Sequence, residues 1–213
     1  MSDYYIKSKY IENTNTSYDI FAYIREYFNV DNPHESNILH ISASSTTTDS
    51  GDGNKRSDVS VLIRKPDGFR WVSSNKDNQY FIIYMKNNRI DLTSYSIETE
   101  INQRYINTWD VYGIRNGKEY LIDRRVNEPI CSGGESYCIG TSIKTFICQN
   151  PGVFNKFKFI HRGLDSYKDK YFSMSRVMFY GIINPNTDNI SCGHNQNKRY
   201  NHCLFIMISL FNK

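Results

Sequence analysis

Two pairs of soft ligands stand near the end of the sequence, Cys192 with His194 and His202 with Cys203, and four such groups are what a tetrahedral zinc ion takes. The spacing argues against it. One residue separates the first pair and none the second, whereas converging ligands usually stand two to four residues apart. A polar tail with two incidental thiols is the competing reading. The run Asp49, Gly51, Asp52, Gly53, Asn54 offers the hard oxygen donors that calcium prefers. It lacks the ligand order of an EF-hand loop and that loop's terminal Glu, which leaves a solvent-facing loop as the alternative. Cys131, Cys138 and Cys148 have no His nearby to act as a base. Glu98 and Glu100 share one face of a strand but flank a polar turn, where they read as solvated edge charges. The sequence contains no GxSxG elbow, no HExxH and no phosphate-cradling glycine loop. It therefore predicts no catalytic residue, no cofactor and no enzyme.

Composition narrows the partners. The net charge is +4, from 26 Lys and Arg against 22 Asp and Glu. The basic pairs Lys55-Arg56, Arg64-Lys65, Arg124-Arg125 and Lys198-Arg199 are scattered rather than gathered in a stripe, so no nucleic-acid partner is predicted. The longest apolar patch, Cys203 to Leu210, is broken by Ser209 and too short to cross a bilayer. With a polar start and no leader pattern, the expected location is the cytoplasm. An odd count of five Cys fits reduced thiols there, one disulfide remaining an open alternative.

The elements that must position any site are mostly strands. Ile20, Phe21, Ile24, Tyr27 and Phe28 recur at helical spacing after Ser17, a suitable N-cap, and predict one helix ending before Pro33. From there the chain reads as β: Ile38 to Ser44, Asp58 to Arg64, Gln79 to Met85, and Ile90 to Thr99 with a slip near Thr93 and Ser94. Asn116-Gly117, both tolerant of positive φ, predicts a type I′ hairpin between strands at Trp109 and Tyr120. Ser142 to Cys148, Phe154 to His161 and Tyr171 to Ile183 complete the set. The aromatic start, Tyr4 to Ile11, reads as an edge strand or an ordered arm, and the tail after Asn184 has no readable period. The predicted division is an arm at 1–16, a sandwich at 17–183 and an extension at 184–213.

Several of these segments, taken in order, resemble the discoidin or coagulation-factor C-type domain, in the stand-alone intracellular variety of trichomonad and Entamoeba protein sets. FAYIREYF and NILHISASS resemble its leading helix and first strand. FRWVSSN with KDNQYFIIYMKNNRI resembles its tryptophan-centred turn and next strand, and LTSYSIET the strand after that. TWDVYGIRNGKEYLIDRR resembles the hairpin that a Trp opens and an Asp-Arg closes, FKFIHRG an apolar-basic strand and FSMSRVMFYGII the closing strand. The resemblance implies an all-β antiparallel sandwich, a galactose-binding-like jelly roll, with a short N-terminal helix. It also implies binding through loops at one end, here Ser44 to Arg56, Arg70 to Asn78 and Leu164 to Lys170. The disulfide between first and last strands of secreted relatives has no counterpart around Ser42 to Ser44 and Gly181.

The ligand-binding residues this implies are Asp49, Asp52, Asn54, Arg70, Trp71, Asn75, Arg162 and Tyr167. Trp71 or Tyr167 would supply an aromatic platform, core packing being the competing role for Trp71. Arg70 and Arg162 would clamp an anionic or hydroxylated ligand, against structural pairing with Asp110, Asp123 or Asp169. Because the loops show little aromatic surface, the expected partner is a protein or a larger assembly ahead of a glycan. The function expected is that of a binding or adaptor module. Its alternative is a component of a cytoskeletal or axonemal lattice, such as a microtubule-associated one, with the cytoskeleton or cilium as the corresponding location.

Overall fold

In the computed structural model the described residues are 6, 8–14, 17–47, 58–99, 104–131, 138 and 140–186. Helix α1 spans Ile20–Phe28 and buries Ile20, Phe21 and Ile24. Its N-cap is Asp19 rather than Ser17: the carboxylate accepts from Phe21 N at 2.6 Å and Ala22 N at 2.9 Å. That satisfies two of the orphan amides of the first turn. Asn29, left-handed at φ 52°, ends the helix.

Two antiparallel sheets face each other. One has the order β1 (Lys9–Ile11), β11 (Arg176–Pro185), β5 (Asn88–Thr99) and β8 (Ser142–Phe154). The other runs β2 (His40–Ala43), β4 (Tyr80–Tyr84), β9 (Lys156–His161), β6 (Trp109–Arg115) and β7 (Lys118–Arg125). A two-stranded piece, β3 (Trp71–Val72) with β10 (Ser173–Met174), stands apart. This is the antiparallel sandwich with one short helix that the sequence predicts. The strand expected over Asp58 to Arg64 is instead a 3-10 turn, Val59–Leu62, with Asp58 as its cap and all four of its residues buried. A continuous apolar run does not by itself separate a strand from a buried turn.

The core between the sheets is aromatic. Phe81 stacks on Phe159 with centroids 4.9 Å apart, Phe159 reaches Phe179 at 5.9 Å, and Phe179 meets Phe21 of α1 at 5.0 Å. Trp71 and Trp109 are both wholly buried, as core packing requires. The slip read near Thr93 is a register shift between Leu92 and Ser94 against β8. On β11 the compensating irregularity falls at Gly181, φ 136°, where a Cβ would collide with the Asp91 carbonyl oxygen. Asn116 and Gly117 have φ of 51° and 74°, the type I′ geometry that fixes the β6–β7 register.

That register sets two polar clusters on opposite faces of β6 and β7. Asp110 faces Arg124, and Trp109 faces Arg125 with Asp123 beside Val111. On the inner face Trp109 Nε1 donates to the Tyr95 hydroxyl at 2.9 Å, and that hydroxyl donates to Asp123 Oδ2 at 2.6 Å. Arg125 then closes on both Asp123 oxygens at 2.7 and 3.1 Å. Cys131 and Cys138, 5.4 Å apart at Cα, are joined as a disulfide, the alternative the sequence leaves open beside reduced thiols. Cys148 is a free buried thiol, which burial pushes up to about 12. Among the described residues, no helix is long and apolar enough to cross a membrane.

Candidate functional site

Strand direction gathers five connections at one end of the sandwich. The chain leaves β2, β7 and β9 there and enters β4, β6 and β8 there, as the pairings Ala43 with Phe81, Trp109 with Arg125 and Trp109 with His161 require. The described parts of this rim are Ser44–Thr47, Ser73–Gln79, Arg104–Thr108, Val126–Cys131 and Arg162–Phe172.

Of the eight residues expected to bind, three meet on this rim. Tyr167 is 46 % exposed, on a turn built around the Asp165 carboxylate. That carboxylate accepts from the amides of Tyr167 at 2.9 Å and Asp169 at 3.0 Å. Asn75 lies beside it, its Oδ1 accepting from Lys170 N at 2.8 Å. Arg162 extends Nη1 to Asn78 Oδ1 at 2.7 Å and Nε to Asp110 Oδ2 at 2.9 Å.

Trp71 and Arg70 are 0 % and 4 % exposed, so neither offers a ligand any surface. Trp71 packs on Phe172 at 5.2 Å and Phe81 at 5.8 Å. Its indole N–H is shared between Ser45 O and Thr46 Oγ1, each at 3.2 Å, and so pins the root of the loop after β2. Ser45 Oγ also accepts from Ser74 N at 2.8 Å and bonds Gln79 Oε1, tying that root to the neighbouring turn. Asp49, Asp52 and Asn54, with the calcium reading, lie outside the described residues. So do Cys192, His194, His202 and Cys203, with the zinc reading. Among the described residues no three His, Cys, Asp or Glu side chains gather as a metal site.

Sequence reasoning missed Arg104, which organises the platform. Its guanidinium lies 4.5 Å from the Tyr171 ring centre and 5.1 Å from that of Tyr167. It also bonds Asp165 at 2.8 Å and Asp169 at 2.9 Å. Cation–π contact and two carboxylates hold one guanidinium, which in turn fixes both rings. The visible signal was a pair of Asp four residues apart on a tyrosine-bearing loop; their cation comes from a segment some sixty positions away, as the separations of 61 and 65 show.

Elsewhere on the rim, Asp110 binds a second arginine that sequence reasoning did not assign. Arg124 reaches Asp110 with Nε at 2.6 Å and Nη2 at 3.0 Å, and the Tyr112 hydroxyl adds a bond at 3.0 Å. Burial works against ionising Asp110, but the bonds from Arg124, Arg162 and Tyr112 prevail and hold its carboxyl below the ordinary range. Pairing with Asp110 was one of the structural roles expected for Arg162. A larger depression of about 420 Å³ lies elsewhere, between the segment after α1 and the one after the 3-10 turn. Ion pairs such as Arg64–Asp67 at 2.6 Å occupy its walls, and no aromatic ring lines it, so it offers no platform.

No family model and no curated protein match this chain. Solved structures do share its fold. The CBM32-5 module from Clostridium perfringens, in complex with GalNAc-β-1,3-galactose, has a TM-score of 0.50 at 12 % identity, covering 68 % of this chain and 96 % of that one. CBM32-3 from a family 31 glycoside hydrolase of C. perfringens has a TM-score of 0.50 at 14 % identity, over 68 % and 92 %. The C-terminal domain of a chitobiase from Bacteroides fragilis has a TM-score of 0.50 at 13 % identity, over 68 % and 93 %. The chain thus shares the antiparallel β-sandwich fold of these structures. These neighbours overturn the expected order of partners. Two are carbohydrate-binding modules, one with a disaccharide bound, and the expectation of a protein partner or a cytoskeletal lattice is withdrawn.

Proposed function

We propose that this domain is a non-catalytic glycan-binding module that reads a sugar on the rim turns carrying Asn75, Arg104 and Tyr167. The observation that carries the reading is the half-exposed Tyr167 ring, braced by Arg104, whose carboxylate partner Asp169 also meets the Asn75 amide. A pyranose presents an apolar C–H face and a girdle of hydroxyls. An open aromatic ring with planar hydrogen-bonding groups at its edge complements both. The disaccharide held by a module of the same fold, GalNAc-β-1,3-galactose, is therefore the first probe.

Isothermal titration with GalNAc-β-1,3-galactose, backed by a glycan array, tests the reading. Tyr167→Ala should abolish binding while shifting stability by less than about 0.5 kcal/mol, since the ring is a surface one. Binding that survives this variant would move the site elsewhere. Cytoplasmic residence in a stand-alone protist protein is a separate proposal. The Cys131–Cys138 bridge gives it a test, because such bonds persist in oxidising compartments and are rare in the cytosol. Thiol counting on protein taken from its native cell without reductant should find the pair reduced if the cytoplasm is right.

A further inference from the structure

The rim carries two ion-paired clusters. On the Tyr167 side Arg104 stands against Asp165 and Asp169, and Lys170 of the same loop pairs with Asp77. On the other side two cations, Arg124 and Arg162, share the single carboxylate of Asp110, whose side chain is 2 % exposed. The second cluster carries one surplus positive charge. Arginine keeps its charge at any accessible pH, so the positive surplus is permanent.

Geometry gives that surplus a direction. Arg124 spends Nε and Nη2 on Asp110, with the Tyr112 side chain a further hydrogen-bond partner. Its side chain is 53 % exposed. Arg162 is fixed by Asp110 and Asn78, with Nη2 only 3.5 Å from the Tyr112 hydroxyl. Between the two lies a depression of about 310 Å³, walled by Thr108 and by Val126, itself 61 % exposed. Two oriented guanidiniums over an anchored carboxylate, beside a bare apolar wall, are arranged for a planar or tetrahedral anion on an otherwise hydrogen-bonding ligand.

Building on the glycan reading above, we infer that the ligand is an acidic sugar, its carboxylate or sulfate group seated between Arg124 and Arg162 in the Val126 depression while a sugar ring lies toward Tyr167. The anchoring role of Asp110 explains why the two cations do not repel each other apart: the buried carboxylate holds both forks in place before any ligand arrives. Preorganised donors of this kind lose little freedom on binding.

The test titrates the intact chain with matched neutral and acidic probes, GalNAc-β-1,3-galactose against its 6-sulfated form and galactose against galacturonic acid. The acidic member of at least one pair should bind about tenfold more tightly, the worth of one charge-assisted hydrogen bond. Arg124→Gln should collapse that ratio to near one. Val126→Glu, which sets a like charge in the depression without touching Asp110, should do the same and guards against a folding defect in the first variant. Binding of neutral and acidic members with equal affinity would overturn the acidic-ligand inference and leave the glycan reading standing. So would an acidic preference that both variants retain. If no probe of either kind binds, the glycan reading fails and the inference falls with it.

Discussion

Asp123 with Arg125 and Asp110 with Arg124 are two Asp–Arg pairs on the same two strands, and they have opposite fates. Arg124 and Arg125 are adjacent in sequence, so the strand alternation sends one outward and one inward. The inner carboxylate is fully buried and bonded by Tyr95 and Arg125, and the indole of Trp109 completes the chain through Tyr95. The outer carboxylate is nearly as buried, yet the arginines it holds are 53 % and 35 % exposed. His161 and Arg162 repeat the division at the end of β9, His161 buried beside Phe172 and Arg162 on the rim. Identical pairs of residue types thus lock a core on one face and present charge on the other. What differs is whether water reaches the cation.

The contrast is broken most severely from inside. Asp123→Ala leaves Arg125 facing a core with no counter-charge and Tyr95 without an acceptor, a loss of about 3–5 kcal/mol expected for breaking a buried pair. Urea unfolding measures it, and a cost under about 1 kcal/mol would mean that water already reaches this network. Asp110→Asn should cost less, about 1–2 kcal/mol, because solvent takes up part of the freed arginine charge. Equal costs for the two variants would erase the distinction drawn between the faces.

The smallest effect comes with pH and separates His161 from its neighbour. Burial holds the His161 imidazole below its ordinary value of 6.5, against the pull of Asp165 and of backbone hydrogen bonds at Lys170 and Leu164. A depressed folded value means the unfolded chain takes up the proton first. Its contribution to stability is therefore complete above 6.5 and is lost as pH falls through the lowered value. Thermal melts across that window should show a decline that His161→Gln removes. Asp110, also held low, adds its own loss only below its ordinary 3.8.

Much of the scaffold is readable from sequence because it depends on short-range rules. Helical spacing from Ile20 to Phe28, the Asn116-Gly117 turn and the slip at Thr93 each follow from a few consecutive residues. Reading fails where a residue's environment is set elsewhere. Val59–Leu62 has the composition of a strand but coils into a 3-10 turn with every residue buried. Trp71 sits in a rim segment yet turns inward onto Phe81 and Phe172, while the exposed platform falls to Tyr167.

The sequence by itself determined that consecutive residues of Asp123-Arg124-Arg125 point to alternate faces, since a strand repeats every two residues. It could not determine which face is the core, nor which carboxylate each arginine meets. The pairing of β6 with β7 and β9 decided that, bringing Asp110 opposite Arg124 and within reach of Arg162. The reason is physical: alternation is a property of one strand, whereas a shared carboxylate needs three strands in register, and register is fixed only when turn, bulge and core close together.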